Sequence, residues 1–505
     1  MLRNRRLQDD GITPGNQIKD DLAQPTRQEK LFQDAPVWKA IASMAIPSIV
    51  TMLVMIFYNM ADMFFVGRTG DTVQVAAVSL VGPVFTVMMA IGSMLSGGAC
   101  VLIAKTLGQK DIETVKLYSS LCCWGGVVFG IVFGLIALIA REPLLGFLGA
   151  EGEIQGYART YLTILALGAP VMIFTTAAGG MVRAEGAIKE GMFGNILSTA
   201  SNIILDPIFI LVLGMGVGGA AVATVLANVA GAVYYILYLR FSNTNNTLNP
   251  VYALRKPLAI GKIIAIGLPN AMSSILVGFA SAIANRLLVR YGTNAVAAMA
   301  AAGKATMVIS MIQMGITMGV QPLLAYNYGA RNIRRMREAI FKLSILTVTI
   351  GLSVTLLCVF NGKAVVAIFL KDGAALALGQ EMIHLLVLSG PVLGLYYLSS
   401  TFLQASGNAP LASLVSLLRQ GIFLVPLLYL MNYLFEVKGN VLAHVVADYS
   451  AAALAIVLAV YQYRKLMKSV PAADGFSHGE SGAARDTAVP KPQKTEGGAQ
   501  HEAVG

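Results

Sequence analysis

Glycine and proline dictate backbone geometry more strictly than other residues, and in this chain of 505 residues they recur in register. Pro170 in LALGAPVM reappears as Pro391 in LVLSGPVL, 221 residues on. Gly186 in RAEGA and Gly108 in AKTLGQKD reappear at the same spacing, as Gly407 in QASGN and Gly329 in YNYGARN. Pro47 in AIPSIV pairs with Pro269 in GLPNAM at 222, so one residue is lost between Gly70/Gly292 and Ala76/Ala297. Chance does not supply such a set, and the chain is read as two like halves. In an apolar chain, this construction places a substrate site between the repeats.

The chain is 56% hydrophobic and 12% charged, with a mean hydropathy of +0.69. Soluble domains carry about 25% charged residues, so this chain cannot clothe itself for water and is expected in a bilayer. Its net charge of +11 has two readings, a nucleic-acid partner or Lys/Arg retained on the cytoplasmic side of a membrane. Cys100, Cys122, Cys123 and Cys358 fall in or beside apolar runs without metal-ligand spacing and read as small buried residues. The first 36 residues are polar and mixed in charge, unlike a cleavable signal peptide.

Runs of about 20 apolar residues mark spans. Twelve are expected, at 38–66, 74–104, 117–140, 157–180, 191–213, 217–240, 259–289, 294–326, 339–361, 379–404, 411–433 and 440–464. The fold class that follows is an all-α polytopic membrane protein, twelve transmembrane helices in two parallel six-helix repeats around a central cleft. Its parts are a cytoplasmic tail (1–36), an N-lobe (37–240), a linker (241–258), a C-lobe (259–466) and a disordered tail (467–505).

Alternate connections sort by charge. One side gathers Lys105, Lys110, Lys116, Arg183, Lys189, Arg240, Arg255, Lys256, Lys262, Arg331, Arg334, Arg335, Arg337, Arg464, Lys465 and Lys468. The other holds only Arg68, Arg141, Arg159, Arg290, Lys363, Lys371 and Lys438. The positive-inside rule puts the first side, and both termini, in the cytoplasm. An even number of spans per half inserts both halves in one orientation, so the repeats are parallel. This distribution leaves no basic stripe for nucleic acid.

A carboxylate inside a span costs at least about 2.5–3.5 kcal/mol by insertion scales and therefore asks for a function. Asp62 lies in the first span, in FYNMADMFFVG, and Asp206 in the fifth, in SNIILDPIFI. Asn202 stands four residues before Asp206, on the same helix face. Pro207 withholds an N–H and frees carbonyls of the preceding turn. Such hard oxygen ligands suit a proton or a small cation such as sodium. In the second half the match to Asp62 is Ala284, and Pro426, Leu427 and Leu428 surround the match to Asp206. The ion site is therefore expected in the N-lobe alone.

The second half has polar residues of its own. Lys304 and Asp448 are read as a neutralising pair or a second titrating site, and His384 and His444 as hydrogen-bonded core residues. Met307, Met311, Met314 and Met318 recur at helical spacing with Gln313 beside them. With Met60 and Met63 they are candidate contacts for substrates of varied shape, or simply packing. Gly126, Gly130 and Gly134 read as a close-packing face. Pro47 and Asn59 are candidate bends in the first helix, and Pro207 in the fifth.

Over residues 38–465 the chain resembles the multidrug and toxic compound extrusion (MATE) family, in its bacterial branch. The resemblance rests on Asp62 in the first helix, Asn-x-x-x-Asp at Asn202 and Asp206 in the fifth, and Thr224 in the sixth. It implies that these four residues form the cation site of the N-lobe. The glutamate of the family's sodium-coupled branch in the seventh helix has no counterpart in GFASAIANRLLV. Its tenth-helix aspartate is missing from LLVLSGPVLGLYYLSSTFLQ. Coupling is thereby concentrated on Asp62 and Asp206.

The expected function is secondary active antiport at the plasma (inner) membrane, exporting amphipathic, often cationic compounds in exchange for H⁺ or Na⁺. No cofactor beyond the coupling ion is expected. The partners are small-molecule substrates and the lipid bilayer, and the expected state is a monomer. The alternative is a flippase for lipid-linked oligosaccharides or polysaccharides, which would want a more basic cleft. An intramembrane aspartyl protease would want a Gly-x-Gly-Asp run, which is absent, so an enzyme is not expected.

Overall fold

A bilayer offers no partner for backbone N–H and C=O groups, so each long apolar run satisfies its own as a helix. The computed structural model describes residues 29–67, 72–367, 370 and 373–469, and contains no strand among them. The tails expected at 1–36 and 467–505 lie outside these residues except for 29–36 and 467–469. The first six spans are α1 (Val37–Gly67), α2 (Thr72–Gly108), α3 (Ile112–Ile139), α4 (Glu153–Ala184), α5 (Ile188–Pro207, continued by a π turn over Ile208–Val212) and α6 (Gly216–Phe241). The second set opens with α7 (Ile260–Leu288), α8 (Thr293–Gly329) and α9 (Ile333–Ala367). The next span, α10, runs through Gly373–Leu386 and Gly390–Ala405, with a 3₁₀ turn between them.

Eleven stretches among the described residues are long and apolar enough to cross a membrane, against twelve expected. The difference is confined to the last, which runs 60 residues from Ala409 to Lys468. A straight helix of that length would measure about 90 Å, far beyond a hydrocarbon core of about 30 Å. The run bends instead at Glu436, whose φ of 52° and ψ of −128° are not helical. We therefore divide it into α11, which begins at Ala409 and includes a π turn over Leu418–Phe423, and α12, which follows Glu436 and ends at Ser469.

The duplication extends to backbone detail. α2 and α8 are both 37 residues long. Each is followed by a left-handed residue, Lys110 (φ 60°) and Arg331 (φ 56°), a conformation that costs a non-glycine residue roughly 1–2 kcal/mol. Asp111 then caps α3 by accepting from Thr114 N–H at 3.0 Å, and Asn332 caps α9 by accepting from Arg335 N–H at 3.1 Å. The paired Gly186 and Gly407 both adopt positive φ, 89° and 78°.

The lobes meet where glycines let backbones touch. A Cβ on Gly108 would lie 2.2 Å from the Tyr326 carbonyl oxygen, and one on Gly329 would lie 2.0 Å from that of Lys105. This reciprocal contact of α2 with α8 is what two parallel repeats related by an axis along the membrane normal would make. Within the N-lobe, Gly130 does a similar service: its added Cβ would stand 2.3 Å from Pro170 Cα, which brings α3 against α4.

Several basic residues at the less basic end have acidic partners. Arg159 donates to Glu142 at 2.8 Å and Arg141 at 3.1 Å, and Lys438 pairs with Glu381 at 2.5 Å. At the other end, Glu185 is buried and holds the linker by accepting from Asn245 N–H at 2.8 Å and from the Thr244 hydroxyl. The short helix Glu29–Gln33 lays a fully buried Phe32 on Tyr326 of α8, ring centroids 5.0 Å apart. Arg335 of α9 donates to the carbonyls of Leu31 and Ala35 in this segment, at 3.2 and 2.5 Å.

Candidate cation site and cavity

Asp206 lies one residue before the proline that ends regular α5. Without a Pro207 N–H the i→i−4 ladder cannot continue, and the chain widens into the π turn, where Leu213 N–H reaches Ile208 O at 2.9 Å. Asp206 is fully buried at this irregular place, and Asn202 and Thr224 are only 2% and 4% exposed. The Asn202 amide donates to Asp206 Oδ1 and to Thr224 Oγ1, both at 3.3 Å. The Thr224 hydroxyl spends its own proton on Ala220 O at 3.0 Å, so its oxygen faces the cluster as an acceptor. Asn202 Oδ1 is buried and accepts no hydrogen bond among the described residues. The Asn202 NH₂ thus bridges the Asp206 carboxylate and the Thr224 hydroxyl oxygen, and these oxygen-bearing groups fit a proton or sodium ion.

The cluster borders a cavity of about 350 Å³ inside the N-lobe. Its walls come from α1 (Thr51, Met55), α2 (Phe85, Met89), α4 (Thr175, Thr176), α5 (Asn195, Ser198, Asn202) and α6 (Thr224, Asn228), with Ser274 of α7 on the far side. Mixed methionine, aromatic, amide and hydroxyl walls accept an amphipathic molecule better than a purely polar one. α1, which carries Asp62, packs along α5. The side chains of Asn59, Met60, Asp62 and Met63 lie outside the described residues.

A family model described as MatE matches residues 47–208 and again 269–430, which is the duplication read from the prolines. The chain belongs to the MATE family. The multidrug export protein MepA of Staphylococcus aureus (strain MRSA252) is 32% identical over 434 residues, covering 86% of this chain and 95% of MepA. MepA of Staphylococcus saprophyticus is 31% identical over the same share of each chain. A crystal structure of MATE in complex with MaL6 superposes with a TM-score of 0.82 at 24% identity, over 88% of this chain and 100% of that one. A multidrug resistance MATE transporter in its outward-facing conformation gives 0.81, again at 24%. Both structures support the fold, and the family places this MATE chain among transporters rather than enzymes.

Several sequence expectations need correction. Gln313 does not line the cavity: it is fully buried in the C-lobe, where its amide donates to Thr347 O at 2.8 Å. Met311 and Met314 on the same helix are half-buried and are likewise not among the cavity walls. Asp448 does not pair with Lys304. Arg419 takes it at 2.8 Å, with both side chains 14% exposed, while Lys304 is exposed. Buried Nε2 of both His384 and His444 has no hydrogen-bond partner among the described residues, so neither histidine is fully satisfied. Pro47 lies inside α1, and Pro207 marks the irregularity at the end of α5.

Sequence reasoning missed Thr175, Thr176, Ser198 and Asn228 as cavity walls. None forms a motif. The available signal was the duplication itself, because setting the halves at a spacing of 221 residues puts Tyr396, Tyr397 and Arg419 opposite Thr175, Thr176 and Ser198.

Proposed function

We propose that this MATE chain is an antiporter that exports amphipathic, often cationic organic compounds in exchange for H⁺ or Na⁺. Asp206, Asn202 and Thr224 exchange the cation together with Asp62 of the adjoining α1, and the N-lobe cavity receives the substrate. The observation that carries this reading is the buried Asn202 Oδ1 at the cavity wall, without a hydrogen-bond donor among the described residues, on a side chain bonded to the fully buried Asp206. A buried acceptor left unsatisfied costs about 1–3 kcal/mol, a cost that an arriving cation removes.

Antiport then follows from linkage: cation and drug must favour opposite-facing states of the transporter, so that each displaces the other across the membrane. The basic end of the bundle, and with it both termini, faces the cytoplasm of the cell by the positive-inside rule. The name multidrug export protein, carried by MepA at 32% identity, supports drug export.

The test is efflux of ethidium and a fluorescent fluoroquinolone from cells expressing wild type, Asp62→Asn or Asp206→Asn at matched membrane levels. Each is measured with and without sodium and with a protonophore. Export by wild type alone supports the site, and the sodium and protonophore arms name the ion. Undiminished export by both variants would refute the coupling role of the acids.

A further inference from the structure

A second opening, of about 390 Å³, lies on the C-lobe between α9, α10 and α12. Its walls are drawn from residues 337–344, 395–402 and 456–463. Each stretch covers about 10 Å of helix axis, so the slot runs along the helices rather than across them. α9 begins at Ile333, α10 ends at Ala405 and α12 ends at Ser469, all at the basic end of the bundle. Arg337, Phe402 and Tyr463 therefore stand at the mouth, and Leu395 and Ile456 lie deeper, toward the bilayer centre. Phe341 and Val460 are 66% and 43% exposed, which at membrane depth means contact with lipid chains.

The mouth is electrostatically unfinished. Arg337 is exposed and takes part in no ion pair among the described residues, whereas the neighbouring Glu338 is held by Lys342. Arg464 and Lys465 are exposed beside Tyr463. An apolar slot ending in a guanidinium at headgroup level is complementary to an acyl chain ending in a phosphate, and basic pockets between helices on the cytoplasmic side hold anionic headgroups.

We propose that this slot binds an anionic phospholipid, with one acyl chain along α9, α10 and α12 and the phosphate on Arg337. A zwitterionic lipid fills the apolar part equally well but gains less from the guanidinium. An amphipathic cation is repelled by it, which separates this site from the N-lobe cavity.

Native mass spectrometry of the purified full-length protein, titrated with phosphatidylglycerol and phosphatidylcholine of identical chains, reads the preference directly. Wild type should retain phosphatidylglycerol about fivefold more tightly, the ratio expected from one basic residue at a membrane surface. Arg337→Gln should bring the ratio close to one. Arg334→Gln, one turn away on α9 and outside the slot, should preserve it. Ala459→Phe, which fills a wall, should weaken both lipids together, with size-exclusion elution unchanged as a check on folding. Equal affinities in wild type, a preference that survives Arg337→Gln, or lipid binding unaffected by Ala459→Phe would each overturn the proposal. Displacement of phosphatidylglycerol by ethidium would also overturn it, by making the slot a substrate site.

Discussion

At matching places the two lobes hold their polar residues in opposite ways. In the N-lobe, Thr175, Thr176, Ser198 and Ala227 line a cavity of about 350 Å³. The residues 221 positions on are Tyr396, Tyr397, Arg419 and Asp448, and they hold one another. Arg419 donates to Asp448 at 2.8 Å and to the Tyr397 hydroxyl at 3.3 Å, and lies 4.9 Å from the Tyr396 ring centroid. The acids differ in kind as well. Asp206 accepts from the Asn202 amide, whereas Asp448 is held by the Arg419 guanidinium. Matching positions thus line a chamber in one lobe and form a fastener in the other. Volume and charge balance, rather than helix topology, distinguish them.

The largest effect that would break this comparison is on transport. Asp206→Asn should abolish drug efflux while leaving the protein folded, and Asp448→Asn should not impair coupling per correctly folded molecule. Measuring initial efflux rates normalised to surface protein decides it; equal losses in both would erase the distinction between chamber and fastener.

Next in size is stability. Asp448→Asn leaves Arg419 buried with its charge uncompensated, which should cost about 3–5 kcal/mol, seen as a lowered melting temperature in detergent. The double change Arg419→Gln with Asp448→Asn should recover much of that loss. No recovery would mean that the pair is not acting as a pair.

The N-lobe can also be made to resemble the C-lobe. Thr176→Tyr should occupy part of the cavity at a folding cost of about 1–3 kcal/mol and weaken ethidium binding more than it weakens cation binding. A dye-binding titration with and without saturating cation separates the two effects. Smallest of all, Gly186→Ala and Gly407→Ala should each destabilise by about 1 kcal/mol, since both positions are left-handed. Clearly unequal values would show that the shared backbone carries different strain in the two lobes.

What could be read from the chain follows the range of the interactions. Asn202 and Asp206 are four residues apart, and helix periodicity alone puts them on one face. Thr224 is 22 residues from Asn202 in sequence and entered only through the family resemblance. The partner of Asp448 was misread because Arg419 is 29 residues away on a different helix, and nothing local prefers it to Lys304. Gln313 failed for a related reason: α8 is apolar nearly all round, so its sequence does not declare which side faces a cavity and which packs within the lobe.

By itself, the sequence determined the membrane class, the helical spans, the duplication and the polar pair on α5. A bilayer forces apolar runs into helices, and glycine and proline mark where those helices start, stop or widen. Only the tertiary structure decided that Asn202 bonds Thr224 and that Arg419 rather than Lys304 neutralises Asp448. Those outcomes depend on the rotation and depth of neighbouring helices. Packing fixes both, because buried charge and amide groups must find partners wherever close-packed backbones allow.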